Sequence, residues 1–195
     1  MKNRLRKRYR KYLDSMSQEE RQRDSAQAVR LLASMEWIKK AGRVLLYHSI
    51  GTELNVLPLA DFLWERGKEV YLPKVVGKHL LCLHYTADTR LATGAYGILE
   101  PDHRDALISE DIDAVLVPGL AFTRRGLRLG RGAGFFDRFL ASTEAKRIGV
   151  CFSCQIAPWL PIDEWDMRMD AVVCPDEIIY TDRQERSFND DPHMV

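Results

Sequence analysis

Three short apolar runs constrain this chain more than any other feature. "RVLLYHS" (43–49), "DAVLVPGLAF" (113–122) and "RIGVCFS" (147–153) are continuously apolar at their centres rather than alternating. Strands of that kind are covered on both faces, as in a parallel sheet between two helix layers. Helical segments fall between and before them. Residues 2–13 place Leu5, Tyr9, Tyr12 and Leu13 on one side of a helix. "SQEE" (17–20) is a capping box, with Ser17 and Glu20 as its reciprocal partners, and opens a second helix to about Met35 that buries Ala26, Val29, Leu32 and Ala33. "PLADFLWERGKEV" (58–70) has proline near a helix start and glycine at its end, and leads into the strand "VYLPKV" (70–75). "HLLCLHY" (79–85) alternates like a half-covered strand, "LATGAYGILEP" (91–101) is a glycine-rich connection, and "DAVVCPDEIIY" (170–180) makes one or two final strands. The expected fold is a single three-layer α/β domain over 1–181, with a mostly parallel, Rossmann-like central sheet flanked by helices. A flexible tail follows at 182–195.

Bulk properties narrow the class. The chain has 195 residues, 46% of them hydrophobic, with a formal net charge of +1, enough for one well-buried domain. No stretch approaches a membrane span, and the basic N-terminus lacks the apolar segment of a secretory signal. Cys151 and Cys154 have CxxC spacing, but no second pair completes a zinc site, so the four cysteines read as thiols in a reducing, cytoplasmic setting.

The chemistry concentrates in "RLGRGAGFFDRF" (128–139), between a buried strand and a helix. Glycines at such a junction let backbone N–H groups approach an anion, and Arg124, Arg125, Arg128 and Arg131 add donors that match phosphate or carboxylate. The spacing is GxGxG. It is neither the Walker pattern nor the dinucleotide fingerprint, so a phosphate cradle and a plain tight turn both remain open on spacing alone. Asp137 is either a metal carboxylate or a first-turn residue complementing the helix dipole.

Residues 117–140, "VPGLAFTRRGLRLGRGAGFFDRFL", resemble the signature of the 5-formyltetrahydrofolate cyclo-ligases, also called methenyltetrahydrofolate synthetases. The match comprises Pro118, Gly119, Phe122, Gly126, Arg128 to Gly130, Gly132 and Gly134 to Asp137. Lys2, Leu5 and Arg6 at the start, Glu53 in "YHSIGTEL", "GILEP" (97–101), Gln155, and Asp166 and Asp170 in "DEWDMRMDAVV" fall in family order. The resemblance implies use of ATP and Mg²⁺ to convert 5-formyltetrahydrofolate to 5,10-methenyltetrahydrofolate, with release of ADP and phosphate. It implies ATP contacts at Lys2, Arg6, Arg128, Gly130, Arg131, Gly132, Ala133, Gly134, Phe135 and Phe136. Arg128 and Arg131 would act in catalysis, and Asp137 and Asp166 would hold the metal. His48, Glu53, Arg131, Phe135 and Phe136 would face the folate. Three positions depart from the usual pattern: Ala133 where lysine or glycine is common, the Phe135–Phe136 pair without a tyrosine, and Thr123 in place of aspartate. The partners expected are folate and ATP for a monomer, with neither nucleic acid nor membrane. Two rivals remain. The basic "KNRLRKRYRK" (2–11) suits an RNA-binding arm, and a related ATP-binding enzyme could take another substrate.

Overall fold

The computed structural model describes residues 1–94, 97–102 and 111–181. The proposed tail at 182–195 lies outside the described residues. Two helices come first. α1 (Lys2–Ser15) buries Tyr9 and Leu13, while Tyr12 turns outward to Arg8. α2 (Gln18–Ser34) opens on the capping box: Ser17 Oγ accepts from Glu20 N at 3.1 Å, and Glu20 accepts from Ser17 N at 2.7 Å. Its inward stripe is Ser25, Ala28 and Leu32, with Val29 and Ala33 packed beside it. Ala26 is exposed, because that stripe fixes the rotation of the helix and puts position 26 on the far side. α3 (Glu36–Lys40) links α2 to β1 (Arg43–Leu45).

The remaining elements build a seven-stranded sheet and two small ones. They are α4 (Leu59–Trp64), β2 (Glu69–Val76), β3 (His79–Tyr85), β4 (Leu91–Thr93), β5 (Leu99–Pro101), β6 (Ala114–Pro118), β7 (Ala121–Thr123), β8 (Arg128–Leu129), α5 (Phe135–Ala141), β9 (Lys146–Val150), β10 (Ile156–Ala157), β11 (Ala171–Cys174) and β12 (Glu177–Tyr180). The large sheet runs β12-β11-β9-β6-β1-β2-β3. The five inner strands are parallel, and both edges are antiparallel additions. Val44, Leu45, Val115, Leu116 and Val117 are fully buried, which is why those runs do not alternate. Core side chains form one cluster on each face of the sheet. Among the described residues no helix is long and apolar enough to cross a membrane.

Two features of the strands position the site. The "DAVLVPGLAF" run is two strands, because the chain turns at Gly119. A Cβ on Gly119 would lie 2.7 Å from the Phe122 ring, and one on Gly149 would lie 2.5 Å from it. Phe122 is therefore wedged between two glycines, and β7 leaves the large sheet to pair with β8 and β10. Buried Gln155 locks the turn, donating to Gly119 O at 2.8 Å and Leu120 O at 3.1 Å. At the other side, β1 ends its pairing at Leu45↔Tyr71. Tyr71, Pro73 and Val75 share the β2 edge that faces β1, so that edge is unpaired from Pro73 onward. Proline has no N–H to lose there.

Candidate active site

The chain enters the sheet at β1, moves to β2 on one side, and returns to β6 on the other. Adjacent strands whose connections leave in opposite directions open a crevice beyond their C-terminal ends. A cavity of about 600 Å³ occupies that crevice. Tyr47, His48, Ile50 and Glu53 after β1, Pro73 and Val75 of β2 and Pro118 of β6 line it, together with the whole of 128–138. All the site residues read from the sequence converge here: Lys2, Arg6, His48, Glu53, Arg128, the 130–137 loop and Asp166.

The loop is held from below by one arginine and from the side by another. Arg128 Nη1 donates to Pro118 O at 3.0 Å, and Nη2 donates to Asp137 Oδ1 at 2.7 Å. Its side chain is 5% exposed and that of Asp137 is 23% exposed. Gly130 has to be small here, since a Cβ would meet Arg128 Nη1 at 3.1 Å. Arg131 lies further out, 37% exposed, with Nε donating to Glu53 Oε1 at 2.6 Å. Glu53 is nearly buried and also accepts from Ile50 N at 2.9 Å. Gly132 and Gly134 have φ of 114° and 71°, left-handed conformations that L side chains rarely adopt, and Gly134 caps α5.

The basic start of α1 packs onto this loop. Arg6 Nε donates to Gly130 O at 3.0 Å, while its Nη1 is steadied by Asn3 Oδ1 at 2.7 Å. Lys2 Nζ sits between Asp163 Oδ2 at 2.7 Å and Asp166 Oδ2 at 2.5 Å. Partial burial disfavours the Lys2 charge, but the bonds to the two aspartates outweigh it and raise its pKa above the ordinary lysine value. Arg4, Lys7, Arg8, Arg10 and Lys11 stay exposed on the outer side of the helix. His48 is half-buried, its Nδ1 3.3 Å from Ser49 O. Phe136 packs on the core beneath the cavity with the Arg128 guanidinium 5.9 Å from its ring centre, and Arg138 stands 5.1 Å from the Phe135 ring centre.

The model of the 5-formyltetrahydrofolate cyclo-ligase family matches residues 1–175. The chain belongs to this family. It is 33% identical over 172 residues to the 5-formyltetrahydrofolate cyclo-ligase of Escherichia coli K12, covering 84% of this chain and 94% of that protein. The NMR structure of the 5,10-methenyltetrahydrofolate synthetase of Aquifex aeolicus superimposes with a TM-score of 0.84 at 34% identity, over 100% of this chain and 99% of that one. The synthetase of Mycoplasma pneumoniae, 22% identical with a TM-score of 0.73 over 89% and 98% of the two chains, shares the fold.

The family departures have separate locations. Thr123 is buried outside the cavity, its Oγ1 accepting from Leu127 N at 3.1 Å, so it serves the β7–β8 turn. Ala133 lines the cavity and its carbonyl accepts from Arg138 Nη2 at 3.1 Å, which brings a cation to a position that has no side-chain charge of its own. Two carboxylates of this cyclo-ligase suit a hard cation. Asp137 and Asp166 each use one oxygen in the bonds above, and no described residue reaches the other. No group of three or more His, Cys, Asp or Glu side chains is placed for a metal among the described residues. Two carboxylates completed by phosphate and water are a common set for Mg²⁺. The two thiols of the CxxC pair are separated by burial: Cys151 is buried, with its pKa pushed well up by desolvation, and Cys154 is exposed.

Among the cavity residues to which sequence reasoning gave no role are the polar or aromatic Glu100, Arg138, Asp163 and Trp165. Glu100 sits inside the quoted "GILEP", but nothing in one sequence tells a buried carboxylate from a surface one. Asp163 and Asp166 were separable only by geometry, since both bond the same lysine.

Proposed function

We propose that the chain closes the ring of 5-formyltetrahydrofolate to 5,10-methenyltetrahydrofolate, consuming ATP with Mg²⁺ and releasing ADP and phosphate. One observation carries the reading. In a chain of this family, the glycine loop, the basic start of α1 and the folate-side residues His48 and Glu53 all open into one crevice.

The formyl oxygen on N5 is amide-like and leaves poorly. In the proposed reaction it attacks the γ-phosphorus of ATP, the bond to ADP breaks, and N5 carries an iminium phosphate. N10 then adds to the activated carbon. Loss of the N10 proton and departure of phosphate leave the N5–C–N10 amidinium of the product. The protein's task is placement and charge compensation, as in other phosphoryl transfers. The N–H groups around Gly130 to Gly134, with the start of α5, would cradle the phosphates beside Ala133, Phe135 and Phe136. Lys2 and Arg6 would close over them from α1. Arg131 would meet the charge that spreads over the transferred group. Arg128 would hold the loop and Asp137 in register, an indirect part in catalysis. Asp137 and Asp166 would bind Mg²⁺, which when bound neutralises phosphate charge. His48, Glu53 and the two phenylalanines would face the folate.

The RNA-binding alternative loses two of its cations, because Arg6 turns inward to the loop and Lys2 to Asp163 and Asp166. The test is direct. Purified protein with Mg-ATP and 5-formyltetrahydrofolate is expected to produce the near-UV absorbance of the methenyl compound, and none without ATP. No absorbance change at high enzyme concentration would overturn the reading.

A further inference from the structure

Where β2, β3 and β5 meet the cavity, its walls are apolar: Pro73, Val75, Leu80 and Ile98. Among them lies one carboxylate, Glu100, only 3% exposed. A buried carboxylate is costly unless hydrogen bonds or a cation compensate it. Among the described residues Glu100 has a single compensating partner, Val75 N–H, which donates to Oε1 at 3.1 Å. No ion pair reaches it among the described residues, and adjacent Lys74 gives its Nζ to Pro101 O at 3.2 Å instead. An ionised carboxylate has about four lone-pair positions, so most of the accepting capacity of Glu100 is unspent.

The position is built rather than incidental. β1 stops pairing at Leu45, Pro73 has no N–H, and the next N–H on that edge of β2 is the one that Glu100 takes. Glu100 pairs with Ala92 in the β4–β5 hairpin, which fixes its place in the backbone. A Cβ on Gly94 would fall 2.1 Å from Glu100 Oε2, so this glycine leaves the room in which the carboxylate lies.

We propose that Glu100 is the residue that reads the heterocycle of the substrate, accepting hydrogen bonds from an amide N–H and an adjacent exocyclic amine. This rests on the folate reading of the cavity. A flat ring fits between apolar walls with few polar groups to orient it. The reduced pterin offers N3–H and the 2-amino group side by side, a two-pronged donor that matches a carboxylate as a guanidinium does. A ligand presenting only acceptors here would leave Glu100 unpaired and be rejected.

The test compares 5-formyltetrahydrofolate with its 2-desamino analogue in wild type, E100Q and E100A. Wild-type turnover of the parent compound comes first, and its absence would count against the folate reading rather than against Glu100. Given turnover, wild type is expected to lose about tenfold or more in kcat/KM on the analogue. E100A is expected to raise the KM for the parent by a similar factor, leave the KM for ATP unchanged, and treat the two folates alike. E100Q keeps a carbonyl for Val75 N–H and carries the comparison if E100A does not fold. Wild type using both folates equally well would overturn the proposal. So would a folded variant that kept both its folate KM and the wild-type preference.

Discussion

Arg128 and Arg131 are three residues apart in one loop, carry the same charge, and are both paired to a carboxylate, yet they are placed for opposite tasks. Arg128 is 5% exposed, with both Nη atoms bound and its Nε buried without a partner among the described residues. Reaching a phosphate would cost it the bonds to Pro118 and Asp137. Arg131 is 37% exposed, bound at Nε to Glu53, with a 3.4 Å contact from Nη2 to Ile50 O. Its Nη1 makes no hydrogen bond among the described residues, so the fork can meet a ligand while Nε keeps Glu53. Burial, more than residue type, divides these two arginines: one is locked into the framework and the other is open to a ligand. The same division runs through the cavity: partly exposed cations lie beside the glycines, and a buried carboxylate lies among apolar walls.

The largest effect that could break this comparison is on stability. R128M leaves Asp137 without its partner, and losing one member of a mostly buried ion pair costs about 3–5 kcal/mol. Urea denaturation should show that loss, and a wild-type midpoint would contradict the framework assignment. R131M should cost less, about 1–3 kcal/mol, because it leaves the nearly buried Glu53 with the Ile50 N–H as its partner among the described residues. Its kcat should fall by about 10²–10³, the effect of removing one preorganised transition-state donor. Unchanged turnover would remove Arg131 from the chemistry.

Smaller effects sharpen the picture of the loop and of α1. G134A forces an alanine to φ 71°, and its Cβ would meet Arg138 Nη1 at 2.8 Å. A cost of about 1–2 kcal/mol in stability is expected, with a higher KM for ATP. The double variant K2M/R6M should raise the KM for ATP by about tenfold, in line with loss of charge-assisted hydrogen bonds, and an unchanged value would return α1 to a solvated helix. K2M alone should show a pH signature in thermal melts. The folded pKa of Lys2 is raised, so its contribution is fully present below the ordinary lysine value and disappears as pH climbs through the folded one. The gap between wild type and K2M should therefore close only in strong alkali.

Much of this was legible in the sequence. Apolar continuity marked the parallel core, because strands such as β6 are buried on both faces, and the capping box marked the start of α2. The 117–140 segment pointed to the loop and its family. The break of "DAVLVPGLAF" into β6 and β7 was not legible, since the reason is a ring from Phe122 lodged against Gly149 far along the chain. The different fates of Arg128 and Arg131 were likewise hidden, because the partners that separate them, Pro118 O for one and Glu53 for the other, lie on segments outside the loop. Glu100 was hidden for the same reason: its one partner among the described residues is on another strand.

The central claim is that ATP phosphorylates the formyl oxygen, which then leaves as phosphate, and isotope transfer tests it most directly. With 5-formyltetrahydrofolate carrying ¹⁸O in the formyl group, mass spectrometry of the released phosphate should find the label transferred, one atom per turnover. Unlabelled phosphate, with the ¹⁸O recovered in water, would contradict it.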